Sequence, residues 1–296
     1  MNDPAIRLKD LVHLHPGGKG IAGISLDVPR HSLFGFLGPN GAGKSTTIRL
    51  LLDFLRPQSG EAVILGLDPW RQGPELRRRI GYLPGEVHLP ENLTGREFLA
   101  YAARLRGLVF PESRLADLAG ALDAATDRRI KHLSKGNKQK IAILHALLFQ
   151  PDLLILDEPT EGLDPLVQQA FQNLLRQYRE AGGTVFMSSH VLSEVERLCD
   201  HVAIIRNGRL VEVSPIEDLR TRKARRVELT LTVPADRETM SKALPAARLL
   251  RIEGSVVTLE VTGEAGPMLE ALARLPVRDI VVEPSRLEDA FMEYYA

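Results

Sequence analysis

Only one cysteine, Cys199, occurs in 296 residues, so no internal disulfide can form and the chain fits a reducing compartment. There is no surplus of either charge: Lys plus Arg and Asp plus Glu number 38 each. A global positive field that would draw the protein onto nucleic acid is therefore missing. Nor is there an unbroken apolar run of the ~20 residues that a membrane helix needs. Even "IAILHALLFQPDLLILDEP" is cut by His145, Gln150, Pro151 and Asp152. The opening "MNDPAIRLKD" has no apolar stretch of signal-peptide type. Solenoid-type repeats and low-complexity segments are absent as well. If the protein works at a membrane, another chain supplies the membrane span.

What is present is an alternation. Short β-rich runs, "AVILG", "LLILDEP", "TVFMSS" and "VAIIRNG", are interleaved with helical patterns such as "TTIRLLLDFL" and "PLVQQAFQNLLRQYREA". That order predicts βα units around a largely parallel sheet, an α/β fold. Between Gly85 and Gln150 helical text takes over, "REFLAYAARLRG" and "ESRLADLAGALDAA", so a helical subdomain is expected at about 86–150. Near Arg220 the text changes again, through the basic run "RTRKARR". We read that run as a solvated linker in preference to a contact with anionic lipid headgroups, which would be worth about 1 kcal/mol per residue near a membrane. The expected domains are 1–220 and 221–296. The second has the order β, α, β, β, α, β, which predicts a small α+β domain of ferredoxin-like type, closing with a helix over "LEDAFMEYY".

"FGFLGPNGAGKSTTIRLLLDFL" carries the phosphate-loop spacing G-x-x-x-x-G-K-[ST] between an expected strand and an expected helix. Gly38, Pro39, Asn40, Gly41, Ala42, Gly43, Lys44, Ser45 and Thr46 follow one another there. The glycines let backbone NH groups turn toward phosphates, and the helix start adds its positive dipole end. Lys44 is expected on the outer phosphates and the Ser45 hydroxyl on magnesium. In "LLILDEPTEGLD" a buried strand delivers Asp157 and Glu158 at its carboxyl end, where open α/β sheets bind ligands. Asp157 can hold magnesium through water, and Glu158 can polarise the attacking water. His190, just after "TVFMSS", can donate to the γ-phosphate from a neighbouring strand end.

Taken together these motifs resemble the ATP-binding subunit of an ABC transporter, over roughly residues 5–219. "GPNGAGKST" resembles its Walker A, "LSKGNKQ" its signature motif, "LLILDEP" its Walker B, "EGLD" its D-loop and "SSH" its H-loop. The resemblance implies the P-loop NTPase core of ABC ATPases, binding ATP and Mg2+. It implies a homodimer, or a paired ATPase subunit, in which Leu133, Ser134, Lys135, Gly136 and Gln139 close over ATP held by the opposite chain. Gly162, Leu163 and Asp164 take the D-loop positions. Ser134 could equally serve as a plain cap on its own helix. The tail, "EPSRLEDAFMEYY", resembles the accessory domain of drug and antibiotic exporter ATPases. An integral-membrane permease is the implied partner, with no nucleic acid and a cytoplasmic place on the inner membrane face. Two other readings stay open, an importer subunit and a soluble mechanical ABC ATPase on DNA or ribosomes. DNA-acting versions carry a long coiled coil for which 44–134 has no room, and ribosome-acting versions usually carry two cassettes in one chain.

Two positions depart from the family. The residue that usually stacks on adenine falls on His15, whose imidazole is a smaller platform; His13 and His15 as metal ligands would lack further ligands nearby. The resemblance implies after "YLP" a glutamine that touches magnesium and relays nucleotide state to the permease, but that position is Gly85, followed by Glu86. Either Glu86 takes over part of its role or the loop couples through its backbone. The segment 85–99 is the expected permease-facing surface.

Overall fold

Apolar runs that are buried on both faces and runs that are buried on one face fall into different sheets. The structure, a computed structural model, describes residues 3–221, 225–245, 247–261 and 265–283. Its first elements are strands β1 (Ile6–Leu14), β2 (Gly20–Val28) and β3 (Leu33–Leu37), helix α1 (Lys44–Leu51), strand β4 (Ser59–Ile64), helix α2 (Gly73–Arg79) and strand β5 (Ile80–Leu83). Helices α3 (Gly95–Arg106), α4 (Glu112–Leu122) and α5 (Lys135–Leu147) follow. Alternation resumes with β6 (Leu153–Asp157), α6 (Pro165–Glu180), β7 (Thr184–Ser189), α7 (Leu192–Leu198), β8 (His201–Arg206) and β9 (Arg209–Pro215). Last come α8 (Ile216–Thr221), β10 (Arg225–Leu231), α9 (Arg237–Ala243), β11 (Ala247–Glu253), β12 (Val256–Val261), α10 (Ala265–Leu272) and β13 (Val277–Glu283). The chain divides into two compact units, Met1–Val213 and Ser214–Ala296.

In the first unit a six-stranded sheet has the order β5-β6-β7-β3-β8-β9. The pairs β5·β6, β6·β7, β7·β3 and β3·β8 are all parallel. Every residue of β3, β6 and β7 is buried, as continuous apolar strands covered on both faces should be. The run "AVILG" goes elsewhere: β4 lies antiparallel to β1 in a separate three-stranded sheet, β2-β1-β4. Its physical reason is visible in the alternation, since Ala62 and Ile64 are buried while Glu61 and Val63 face out. One-sided burial suits an antiparallel sheet. Phe34, Phe36, Ile48, Ile155, Phe186 and Ile205 share the core that supports α1.

The helical text between β5 and β6 forms α3, α4 and α5. Helix α3 begins in a capping box: the Thr94 hydroxyl accepts from Glu97 N, and the Glu97 carboxylate accepts from Thr94 N. Gly107, left-handed at φ 68, ends it. No helix among the described residues is long and apolar enough to cross a membrane.

The second unit contains an antiparallel sheet in the order β11-β12-β10-β13, the neighbour order of the ferredoxin-like βαββαβ fold. Val227, Leu229, Val257 and Leu259 pack with Met240, Leu244, Met268 and Leu272. The basic run at 220–226 falls outside the described residues at its centre, 222–224, and the last helix expected at 287–295 lies outside them entirely.

Candidate active site

Parallel register brings three strand ends into one row. Leu37 pairs with Ser189, and Asp157 with Ser188, so β3, β6 and β7 finish side by side. The chain leaving β3 makes the phosphate loop. Gly38 N donates to Ser189 O at 3.2 Å, and Gly208 N to Ala42 O at 2.9 Å, which fixes the loop at both ends. Gly43, at φ 115, precedes α1; a β-carbon there would stand 2.8 Å from Ile21 Cγ2 and 3.0 Å from Gly20 O. At Gly38 a β-carbon would meet Ile205 O at 2.3 Å. Both positions therefore demand glycine. No side chain caps α1, so its first NH groups remain available to an anion.

The Lys44 side chain is buried. Its ammonium donates to Gly38 O at 2.6 Å and Pro39 O at 3.2 Å, and pairs with Glu158 Oε1 at 3.2 Å. The other Glu158 oxygen, Oε2, lies 2.8 Å from His190 Nδ1. Lys44 and His190 thus hold one carboxylate from two sides. Ser188 donates to Asp157 Oδ1 at 2.6 Å and accepts from Glu158 N at 3.0 Å. Glu158 has φ 48, a left-handed conformation that few side-chain-bearing residues adopt.

Ser45, Asp157 and Glu158 line a groove of about 940 Å³ together with Gly85, Glu86, Leu133, Lys135 and Gln139. A β-carbon on Gly85 would stand 3.5 Å from Asp157 O and 3.6 Å from Asp157 Oδ2, so this residue borders the carboxylate directly. The Tyr82 phenol in the same groove is pushed up by burial and by the Asp157 charge, against the opposing effect of Arg49. One hydroxyl, Ser45, and one carboxylate, Asp157, are hard oxygen donors that fit Mg2+. That ion typically takes one or two protein oxygens, with substrate phosphates and water completing its shell. Among the described residues no group of three or more His, Cys, Asp or Glu side chains could hold a metal alone.

His15 lines a smaller cleft, about 230 Å³, with Lys19, Asn40, Gly41, Thr46 and Glu158. Its Nε2 is 3.3 Å from Thr46 Oγ1, while His13 Nδ1 is 2.8 Å from Arg56 O. The two rings meet edge to face at 4.8 Å. A larger cleft of about 1030 Å³ lies at the opposite strand ends, around Asp152, Tyr178 and Thr184. We place the chemistry at the carboxyl ends because open α/β sheets bind ligands there.

Ser134 caps α5, its hydroxyl accepting from Asn137 N at 3.3 Å. Lys135 pairs with Glu161 at 3.4 Å on the surface, and a β-carbon on Gly136 would be 3.3 Å from Gly162 O. Leu133 and Leu163 are buried. Gln139 is buried too and turns inward, its amide donating to Pro159 O at 3.2 Å. Asp164 caps α6 by accepting from Val167 N at 3.0 Å. The segments around 135–136 and 161–162 of one chain are thereby tied together.

Sequence reasoning quoted Ser188 and Ser189 only within "TVFMSS" and "SSH" and Thr160 only within "LLILDEPTEGLD", gave none of them a role of its own, and passed over Glu194. Adjacent serines look like ordinary polar text, but at a strand end they point to opposite faces. Ser188 reaches the Asp157–Glu158 pair while Ser189 reaches Glu194. Two hydroxyls directly before a site histidine were the signal available.

A family model described as ABC transporter matches residues 21–161. The bacitracin transport ATP-binding protein BcrA of Bacillus licheniformis is 38% identical over 230 residues, covering 77% of this chain and 75% of that protein. The daunorubicin/doxorubicin resistance ATP-binding protein DrrA of Streptomyces peucetius is 37% identical over 222 residues, 73% of this chain and 67% of the relative. Among solved structures, one described as the ATP binding subunit of an ABC transporter superposes with a TM-score of 0.68 at 33% identity, covering 73% of this chain and 92% of the other.

Proposed function

The chain belongs to the ATP-binding subunits of ABC transporters and is an ATPase, and from that premise we propose that it powers export of a small molecule through a separate integral-membrane permease. Two copies close head to tail over two MgATP at the inner face of the cell membrane. The observation that carries the catalytic part of this reading is the convergence of Lys44 and His190 on the two oxygens of Glu158.

Phosphate-loop NH groups and Lys44 hold the triphosphate. The γ-phosphate and Glu158 compete for the same ammonium, so nucleotide entry loosens Glu158 from Lys44. His190 keeps hold of the other carboxylate oxygen and so keeps Glu158 aimed. Glu158 then accepts the proton of the water that attacks the γ-phosphorus as its bond to the bridging oxygen breaks and ADP leaves with that oxygen, an assistance worth about 10²–10⁴ in rate. With Nδ1 on Glu158, the other ring nitrogen of His190, Nε2, is left to meet the phosphate. When bound, Mg2+ neutralises charge on the outer phosphate oxygens; the Ser45 hydroxyl and Asp157 would hold it. His15 offers its ring to the nucleobase.

Ser134, Lys135 and Gly136 of the facing copy complete each site, with Gly162 and Leu163 at the contact between copies. Gln139 and Asp164 support that edge from within, through Pro159 and the start of α6. The segment 85–99 faces the permease. In support, the neighbouring Tyr101, Leu105, Leu108 and Val109 are large apolar side chains left exposed, the composition of a partner-binding surface. Export is favoured by what the relatives' names describe, bacitracin transport and daunorubicin/doxorubicin resistance.

Inverted membrane vesicles carrying the protein with its permease test the direction. Bacitracin and daunorubicin serve as probes. MgATP should drive probe into the vesicles; ATP-driven emptying of preloaded vesicles would mean import and overturn the reading.

A further inference from the structure

Glu194 lies in the first turn of α7 and has no part in the chemistry above. Its side chain is buried, and its carboxylate accepts two hydrogen bonds, one from a residue 34 positions upstream and one from the strand end five residues before it. Thr160 Oγ1 donates to Oε1 at 2.5 Å, and Ser189 Oγ donates to Oε2 at 3.0 Å. Thr160 comes two residues after Glu158, and Ser189 immediately precedes His190. Thr160 and Ser189 are themselves buried. One carboxylate thus joins the two segments that carry the catalytic base and its histidine.

Resting on the assignment of Glu158 as base, we infer that Glu194 is a positioning residue for ATP hydrolysis, a buried brace that fixes the Glu158–His190 contact by tying Thr160 to Ser189. An acidic residue in a helix's first turn needs no burial to interact favourably with the dipole. Here both oxygens are instead committed to hydroxyls of other elements, Thr160 at the short end of the O–H···O range and Ser189 at an ordinary distance. The brace also acts where the backbone needs constraint. Glu158 holds φ 48, a conformation that persists when its surroundings over-determine it. From one face of β7, Ser188 fixes Glu158 N; from the other, Glu194 fixes the turn that follows. Within that turn Glu161 N donates to Glu158 O, and Leu163 N to Thr160 O. The Thr160 side chain is what links this turn to α7.

Glu194→Gln keeps the shape but offers one acceptor oxygen in place of two, and its amide NH2 faces a hydroxyl that was a donor. Ser189 Oγ already accepts from Val191 N at 2.9 Å, so it can meet the amide only by accepting on its second lone pair with its own hydrogen turned away, and the two bonds donated to the carboxylate cannot both persist as they are. The test uses the full-length chain with MgATP. Misplacement of reacting groups by about 1 Å can cost up to 10²-fold, so kcat of Glu194→Gln should fall by roughly ten- to a hundredfold with KM and nucleotide affinity unchanged. Thr160→Val should fall in the same direction, while Thr160→Ser, which restores the hydroxyl, should keep wild-type kcat. Wild-type turnover in both Glu194→Gln and Thr160→Val, or a fall matched by equal loss of nucleotide affinity, overturns the brace. Should Glu194→Gln fail to fold, the Thr160→Val and Thr160→Ser pair, which retain Glu194, decides alone. Glu158→Gln measured in parallel separates the two readings. If it turns over like wild type, the base assignment fails; if it is inactive while the Glu194 and Thr160 variants are normal, only the brace fails.

Discussion

Lys44 Nζ stands 3.2 Å from Glu158 Oε1, with both side chains largely shielded from water. In the proposed mechanism the two groups have opposite tasks, the ammonium to hold phosphate and the carboxylate to take a proton. On that proposal their pairing would make phosphate entry and activation of the base one event, because an ammonium that turns toward phosphate releases its hold on Glu158. A low-dielectric setting strengthens this exchange, since screening by solvent is weak.

Glu158→Gln removes the proton acceptor and the negative partner of Lys44 while conserving shape. Turnover should drop by about 10²–10⁴-fold, nucleotide affinity should hold or rise, and closed dimers should accumulate with ATP. Steady-state hydrolysis, nucleotide titration and size-exclusion chromatography check the three parts. Hydrolysis at the wild-type rate would remove Glu158 from the role of base.

Gly85→Gln should be tolerated, because a β-carbon at this position meets Asp157 at 3.5 Å and 3.6 Å, ordinary contact distances. Its amide would reach toward the space beside Asp157 and Ser45. The Mg2+ concentration for half-maximal hydrolysis should fall a few-fold, a smaller effect than the roughly 10–100-fold that follows loss of an outer-shell partner. The melting temperature should stay the same. Identical Mg2+ dependence in the two proteins would show that position 85 does not face the metal.

How much of this site could be read in advance follows from how local each signal is. Lys44, Ser45, Asp157, Glu158 and His190 sit in contiguous motifs whose chemistry is written in a few adjacent letters. Glu194, Thr160 and Ser188 acquire their roles only through the parallel register of β6 on β7 and the packing of α7, which pairs residues some thirty positions apart. The fold divides in the same way. Continuous apolar runs such as "LLILD" announce their burial, whereas "AVILG" hides its partner β1 far upstream, and only its alternating burial reveals the antiparallel sheet. Gln139 belongs by spacing to the signature segment, yet its amide points inward to Pro159, a direction that helix periodicity alone did not settle.

His145 gives stability a dependence on pH. Its ring packs against Phe98 at 5.2 Å and Phe149 at 6.3 Å, and burial, aided by the Arg106 charge, holds its pKa down to about 4. The same histidine in the unfolded chain titrates near 6.5. Below that pH the unfolded chain takes up a proton that the folded one refuses. The contribution of His145 is therefore complete above about 6.5 and is lost progressively as pH falls toward about 4. Between pH 7 and pH 5 the stability of the wild type relative to His145→Leu should decline by about 2 kcal/mol. Urea unfolding at the two values measures it; an equal difference at both would show that the ring is not buried in its neutral form.

Whose phosphate the Ser134 segment holds is open to a mixing experiment. In a twofold head-to-tail dimer each site combines Lys44 of one copy with Ser134 of the other. Lys44→Ala and Ser134→Arg should each abolish hydrolysis when purified alone. Ser134 caps its own helix through Asn137 N, so loss in the Ser134 variant by itself would not separate a cap from a phosphate ligand. Mixing does separate them. A mixed dimer has one doubly damaged site and one intact site, which takes Lys44 from the Ser134 variant and Ser134 from the Lys44 variant. With random exchange roughly a quarter of the sites should be whole, read as recovered turnover or, if the two sites are coupled, as ATP trapped in a crosslinked dimer. Were Lys44 and Ser134 of the same chain to serve one site, no whole site could form in any mixture. Absence of recovery by both readouts, with subunit exchange verified separately, would leave Ser134 as a helix cap and remove the shared site.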